Sequence, residues 1–129
     1  MPRTVLIVDD SGAMRAFVRA ALEGGDDPIE VVEAASGFDA LRLLPRQPVD
    51  CAIVDINMPH IHGLELIAMF RANERYRDLP VLVISTESTE RDRTRALQLG
   101  ATDYLTKPFE AEALLQAVCA LLAPLPAGA

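Results

Sequence analysis

The sequence predicts a single α/β domain in which five parallel strands form a doubly wound sheet with helices on both faces. Short apolar runs alternate five times with segments whose apolar residues recur at helical spacing. Continuous apolar runs are typical of strands buried on both faces, and strand–helix alternation is typical of parallel sheets. The 129 residues correspond to one domain. We expect this domain to span 1–129, with a core at about 4–122 and a tail at 123–129.

The first half of the chain carries two strand–helix units. Val5–Val8 is a branched apolar run, and residues 14–22 carry apolar side chains at i, i+3 and i+4 spacing, with Ser11 as the expected N-cap. Residues 29–34 form a second run, which we place at a sheet edge because two glutamates interrupt it. A helix capped by Ser36 follows, and a proline ends it.

Three further units complete the alternation. Residues 51–54 and 81–84 are again short apolar runs, which predict the third and fourth strands. An apolar helix is expected after the third strand, and a polar helix capped by Ser88 or Thr89 after the fourth. A short strand at 102–105 precedes the last helix, which carries leucines and a valine at helical spacing.

Charge and cysteine content exclude several functional classes. The net charge of −7 argues against direct nucleic-acid binding through a basic surface and against a polybasic membrane anchor. No apolar run approaches the roughly 20 residues of a membrane helix, and the first run is too short for a signal peptide. Cys51 and Cys119 lie singly in apolar surroundings, as reduced core cysteines do. We therefore expect a cytoplasmic protein without membrane insertion.

Polar residues follow four of the five predicted strands. Asp9 and Asp10 follow the first, Asp55 the third, Ser85 the fourth and Lys107 the fifth. Each could be a helix cap, a turn residue or a solvated charge. Turn chemistry does not explain why carboxylates, a hydroxyl and an ammonium occur together at strand ends that meet in space, where parallel sheets bind ligands. The sequence therefore predicts a functional site at the carboxyl edge of the sheet.

Charge repulsion suggests what this site binds. Three carboxylates a few ångströms apart cannot all stay ionised without a counter-charge. A set of oxygen ligands favours Mg²⁺ as that counter-charge. Together with Lys107, the cation could neutralise a phosphoryl group under attack by one carboxylate, and Ser85 could hydrogen-bond a phosphoryl oxygen. The pattern thus indicates aspartyl phosphate chemistry.

The chain resembles the receiver domains of two-component response regulators, most closely the stand-alone chemotaxis type. Four segments carry the resemblance: VLIVDDS at 5–11, VDINMPHIHG at 54–63, VLVIST at 81–86 and YLTKPF at 104–109. It covers about residues 4–122. The resemblance implies a flavodoxin-like strand order, 2-1-3-4-5. It also implies that Mg²⁺ is the cofactor.

The resemblance assigns a role to each matching position. Asp55 matches the phosphoacceptor, Lys107 the lysine that contacts the phosphoryl group, and Pro108 the proline after a cis peptide. The expected metal ligands are Asp10 directly, Asp9 through water, Asp55, and the backbone carbonyl of Asn57. Ser85 and Tyr104 match the switch residues, of which the aromatic turns inward when the hydroxyl moves toward the phosphate.

One position departs from the family pattern. Thr86 stands where the family usually carries Ala or Gly, and its branched side chain would narrow the approach to Asp55. This predicts slower phosphotransfer or hydrolysis. Asn57 and Glu87 flank the site as they do in fast-hydrolysing chemotaxis types, which predicts the opposite.

The implied function is a phosphorylation-dependent switch. A histidine kinase or phosphotransfer protein would phosphorylate Asp55, and the chain would later hydrolyse its own aspartyl phosphate. The added charge would change the surface formed by helix 4, strand 5 and helix 5, which binds a downstream target or forms a phosphorylation-dependent dimer. On this reading the chain is a phosphoacceptor signalling domain and not an enzyme acting on external substrates.

Other interpretations remain open at this stage. A phosphate-independent pseudo-receiver would serve as a binding module. An aspartyl phosphohydrolase would typically carry a second Asp at position 57, where this chain has Asn. The arginines 91, 93 and 95 form either a solvated helix or a docking face for an acidic partner or a sister receiver. His60 and His62 lack a third clear ligand and are more simply solvated than metal-binding.

Overall fold

The computed structural model describes residues 2–26 and 28–123 and has five strands alternating with five helices. The strands are β1 (Arg3–Val8), β2 (Ile29–Ala34), β3 (Cys51–Asp55), β4 (Val81–Ser85) and β5 (Asp103–Thr106). The helices are α1 (Gly12–Glu23), α2 (Gly37–Leu43), α3 (Gly63–Ala72), α4 (Glu90–Leu99) and α5 (Ala111–Leu122). Of the expected tail at 123–129, residues 124–129 lie outside the described residues.

The strands form one parallel sheet in the order β2-β1-β3-β4-β5. This confirms the doubly wound fold and the edge position predicted for β2. The chain reverses direction across the sheet at β1 and β3, which lie side by side although they are separated in sequence. The carboxyl ends of these two strands therefore border the crevice in which such sheets bind ligands.

Two apolar cores lie on opposite faces of the sheet. One is built with α2, α3 and α4 and contains the fully buried Phe70, and the other is built with α1 and α5. Alternate residues of each central strand point into the two cores, so Leu6 belongs to the first and Ile7 to the second. This explains why the central strands are continuously apolar.

The N-caps follow the sequence closely. The Ser11 hydroxyl accepts a hydrogen bond from the Met14 N–H and caps α1, Ser36 caps α2, and Thr89 is the cap of α4. The cap of α3 was missed: His62 Nδ1 accepts from the Leu64 N–H at 3.2 Å. Histidine is not among the residues preferred at this position, so sequence alone gave no signal for it.

The structure also corrects two expectations. The fifth strand is Asp103–Thr106, one residue later than predicted. Phe17, on the apolar face predicted for the first helix, is 40% exposed and packs edge-on against Phe109. Met58 lies in the loop after β3, and its side chain is buried against the first core.

Arg71 connects the end of α3 to the end of α4. Its guanidinium donates two hydrogen bonds to the carbonyl oxygen of Gly100, at 3.0 and 2.7 Å, and one each to the carbonyls of Tyr76 and Arg77. Gly100 has φ 122°, a left-handed conformation that favours glycine, and ends α4. A side chain at this position would also collide with Arg71.

Within the described residues, no helix has both the length and the apolar character needed to cross a bilayer. Cys51 is buried and Cys119 half-buried, and both are free thiols. Burial raises the pKa of the Cys51 thiol to about 12, so this thiol is unreactive at neutral pH.

Gly63 is required by a close backbone contact, which leads to a stability prediction. A Cβ at this position would lie 2.3 Å from the carbonyl oxygen of Asp55 and 2.6 Å from the Cα of Ile56. We expect Gly63→Ala to lower the free energy of unfolding by about 1–3 kcal/mol, measured by urea titration. Gly12→Ala is the matched control, because the nearest atom to its Cβ is 3.5 Å away. Equal stability of the two variants would contradict this account of Gly63.

Candidate functional site

Three carboxylates converge at the carboxyl edge of the sheet. One oxygen from each of Asp9, Asp10 and Asp55 lies within 4.8 Å of the other two. Asp9 and Asp10 follow β1, and Asp55 is the last residue of β3. Because β1 and β3 are hydrogen-bonded neighbours, the fold itself brings these acids together. The structure thus has the cluster that the strand ends predicted.

The three acids differ in exposure. Asp9 is 1% and Asp55 4% exposed, whereas Asp10 is open to solvent. A buried carboxylate loses its hydration and needs hydrogen bonds or a counter-charge in return. Asp9 Oδ1 accepts from the Ser11 N–H at 2.9 Å, and Asp55 Oδ1 accepts a longer bond from the Asn57 N–H at 3.4 Å.

Lys107 supplies the nearest positive charge. Its Nζ lies 3.3 Å from Asp9 Oδ2 and 3.3 Å from Asp55 Oδ1, so one ammonium bridges both buried acids. The backbone N–H of Lys107 donates to the Ser85 carbonyl at 2.7 Å, and the following peptide bond to Pro108 is cis. Residues far apart in sequence are therefore fixed around one point.

The pKa of Asp55 is raised above its ordinary value. Burial is the largest cause, and repulsion from Asp9 adds to it. The Lys107 ammonium and the Asn57 N–H act in the opposite direction without cancelling the effect. Asp55 is therefore a carboxylate whose negative charge is only partly compensated by the protein.

The donor set fits a divalent cation. After pairing with Lys107, three ionised carboxylates retain two negative charges, which is the charge one Mg²⁺ would balance. All the converging ligand atoms are carboxylate oxygens, the type that Mg²⁺ and Ca²⁺ prefer over zinc or copper. The exposed Asp10 leaves one side of the cluster open to solvent, as a cation that keeps bound waters requires.

The loop after β4 connects the hydroxyl and aromatic residues. Ser85 is fully buried, and its Oγ accepts from the Glu87 N–H at 3.0 Å. Tyr104 is 5% exposed, and its hydroxyl donates to the Glu87 carbonyl at 2.6 Å. Both side chains thus bond the backbone of the same residue. The sequence pointed to these residues but not to this shared partner, because the bonds depend on loop conformation.

The remaining predicted positions lie at the surface of the site. The side chains of Asn57, Thr86 and Glu87 are exposed. In the part of the chain that the structure describes, the Asp cluster is the only group of three or more metal-ligating side chains, so neither histidine belongs to one. His60 is exposed, and His62 caps α3.

Arg93 differs from the other two arginines of α4. It donates to the Tyr104 carbonyl at 3.2 Å and lies 3.5 Å from an Asp103 carboxylate oxygen. Arg91 and Arg95 are exposed on the same helix. Arg93 therefore ties α4 to β5, and charge reversal there would disturb this contact as well as any docking face.

Comparisons with known proteins agree on one family. Residues 5–119 match the response regulator receiver domain. A chemotaxis protein CheY homolog of Campylobacter jejuni is 38% identical over 113 residues, 85% of each chain. The response regulator MprA of a Mycobacterium species is 37% identical over 122 residues, which are 95% of this chain and 51% of that protein.

Solved structures share the whole architecture. The chemotaxis protein CheY4 of Vibrio cholerae superimposes with a TM-score of 0.87 at 34% identity, over 95% of this chain and 100% of that one. A response regulator from Thermotoga maritima gives 0.83 at 30% identity, over 95% and 98%. The sequence-based resemblance to receiver domains of the chemotaxis type is confirmed.

The raised pKa of Asp55 predicts a pH-dependent stability difference. A carboxyl whose pKa is higher in the folded than in the unfolded chain destabilises the fold when ionised, and this penalty disappears as the pH falls through the folded pKa. Without divalent cations, we expect Asp55→Asn to be more stable than the wild type at pH 7. This gain in the free energy of unfolding should shrink as the pH is lowered toward 3.8, the ordinary pKa of an aspartate side chain.

Urea titrations at several pH values would measure this difference. Glu30→Gln, which alters an exposed carboxylate on the edge strand, is the control and should show little gain. An Asp55→Asn gain that is absent at pH 7, or that grows on acidification, would contradict the electrostatic account.

Proposed function

The chain belongs to the response regulator receiver domains, and from this membership we propose that Asp55 is the residue that takes up the phosphoryl group. Receiver domains are phosphorylation-dependent signalling domains and do not turn over an external substrate. The observation that carries the proposal is the Lys107 ammonium, 3.3 Å from both Asp55 and Asp9 within the acid cluster. It would attract a phosphoryl group to the point where Asp55 can attack.

Asp55 is better suited to this role than its two neighbours. Asp9 already accepts a short hydrogen bond, 2.9 Å, from the Ser11 N–H and a second one from Lys107. Asp10 is exposed, and no contact with Lys107 is seen among the described residues. Asp55 lies against Lys107, with one weak additional hydrogen bond to hold its charge.

The proposed reaction is transfer from a phosphohistidine of a histidine kinase or phosphotransfer protein. An oxygen of Asp55 forms a bond to phosphorus while the phosphorus–nitrogen bond breaks. The electron pair returns to the donor imidazole, which then takes a proton from solvent. In the later hydrolysis, a water oxygen bonds to phosphorus, the Asp55 carboxylate is released, and inorganic phosphate leaves.

Charge neutralisation around the phosphoryl oxygens makes this transfer feasible. Lys107 would contact one oxygen, and the Ser85 hydroxyl would donate to another after giving up its bond with the Glu87 N–H. Asp9, Asp10, Asp55 and the Asn57 carbonyl would hold Mg²⁺, which supplies Lewis-acid charge stabilisation when bound. Thr86 is exposed beside Ser85, where its branched side chain would narrow the path to Asp55.

Phosphorylation would alter the loop between β4 and α4. It replaces one negative charge on Asp55 with about two. Since Ser85 and Tyr104 both bond the backbone of Glu87, a shift of the Ser85 hydroxyl toward the phosphoryl group would change the constraints on this loop. The surface of α4, β5 and α5 would respond and bind a downstream target or a second phosphorylated copy.

Acetyl phosphate labelling tests the acceptor. With Mg²⁺ present, we expect the intact mass of the wild type to increase by one phosphoryl group and that of Asp55→Asn to stay unchanged. Asp78→Asn, in the loop before β4 at the opposite edge of the sheet, should label like the wild type. Undiminished labelling of Asp55→Asn, or an unlabelled wild type, would contradict the proposal. An unlabelled wild type would favour a phosphate-independent binding module.

Magnesium binding has its own test, which does not depend on phosphorylation. A cation that binds only the folded chain raises the free energy of unfolding. Above its Kd, each tenfold increase in the cation concentration adds about 1.4 kcal/mol. We expect MgCl₂ to stabilise the wild type in urea titrations and Asp10→Asn to lose most of this gain. NaCl at matched ionic strength is the control. An equal gain in Asp10→Asn would rule out the assigned ligands.

A further inference from the structure

Two exposed aromatic rings lie next to each other at the carboxyl edge of the sheet. Phe38, at the start of α2, is 54% exposed, more than any other large apolar side chain in the described part of the chain. Its ring lies 6.4 Å from the ring of His60, at an angle of 46°. The two rings belong to different segments, since His60 lies in the loop between β3 and α3.

The backbone of His60 is strained. Its φ is 69°, the left-handed conformation that favours glycine, and no other non-glycine residue in the described part of the chain has a positive φ. Glycine would satisfy this turn at lower cost. A side chain held in a strained backbone and exposed to solvent points to a role outside folding.

The aromatic pair has a fixed place relative to Asp55. The Ile56 carbonyl accepts hydrogen bonds from the N–H groups of both Met58 and Gly63, which closes the loop that carries His60. The next residue, Ile61, packs tightly against Gly37 at the start of α2. A Cβ added to Gly37 would lie only 2.8 Å from the Cβ of Ile61. The start of α2 and this loop therefore form one rigid part of the rim around Asp55.

Asp55 is only 4% exposed, so a phosphohistidine can reach it only when the protein that carries it lies against the rim. We propose that Phe38 and His60 form a contact surface for the phosphodonor protein and help to determine which donor is accepted. This rests on the proposed phosphotransfer to Asp55. The surface fits a donor that presents apolar side chains beside its phosphohistidine, because burying the Phe38 ring needs an apolar partner.

A small phosphodonor separates this role from the chemistry. Acetyl phosphate needs no protein contact, so Phe38→Ala and His60→Asn should label at the wild-type rate. Asn tolerates the left-handed backbone and removes only the ring. The protein donor is the host histidine kinase that, after phosphorylation with ATP, transfers fastest to the wild type. With this kinase we expect kcat/KM for phosphotransfer to fall about tenfold in either variant.

Met69→Ala is the matched control. Met69 is 45% exposed, and it lies six residues along α3 from Gly63, about 9 Å away from the rim. It should transfer like the wild type. His60→Gly should fold at least as stably as the wild type and still lose transfer, so a loss cannot be attributed to unfolding.

The outcomes distinguish a failure of this inference from a failure of the proposed phosphoacceptor function of Asp55. If the wild type is not labelled by acetyl phosphate, the phosphoacceptor function fails and this inference with it. If labelling is normal but no host kinase phosphorylates the wild type, the proposed transfer from a kinase is overturned together with this inference. If a kinase does phosphorylate the wild type but Phe38→Ala and His60→Asn stay within about twofold of Met69→Ala, the inference alone is overturned. The inference would also be overturned if the variants lost as much labelling by acetyl phosphate as they lose transfer from the kinase. The rings would then affect the chemistry at Asp55 and not the contact with the donor protein.

Discussion

The site depends on a charge imbalance that the sheet enforces. Acids stand at the ends of two neighbouring parallel strands, and the pairing of β1 with β3 holds their backbone positions next to one another. Lys107 compensates one negative charge and leaves the cluster in need of more. The proposed cation binding and the proposed attraction of a phosphoryl group both rest on this imbalance. Repulsion from Asp9 also adds to the effect of burial, which is the larger cause of the raised pKa of Asp55. The fold thus leaves negative charge uncompensated at the site, and the proposed binding of a cation would neutralise this charge.

Most of the fold could be predicted because its signals are local. Continuous branched runs mark the buried strands, and Ser11 and Ser36 mark helix starts by chemistry that depends on a few neighbouring atoms. The edge position of β2 followed from the glutamates that interrupt it. The clustering of Asp9 and Asp55 also followed, because strand ends in a parallel sheet share one edge.

The missed features depend on contacts between distant segments. The His62 cap depends on how the loop after β3 closes, and the exposure of Phe17 depends on where Phe109 lies. The shared bonding of Ser85 and Tyr104 to the Glu87 backbone is likewise a property of one loop conformation. A periodic pattern identifies which face of a helix is apolar, but not how completely a neighbour covers it.

The guanidinium of Arg71 holds the C-terminal end of α4 more firmly than the N-terminal end. Its two hydrogen bonds to the Gly100 carbonyl anchor the C-terminal end of the helix to α3. The other end follows the loop that contains Glu87, whose backbone is hydrogen-bonded by Ser85 and Tyr104, close to the proposed phosphorylation site. Arg93 adds a contact from the first turn of the helix to β5. Any rearrangement of that loop would therefore be greatest at Glu90, ahead of both contacts, and would fade along the helix toward Gly100.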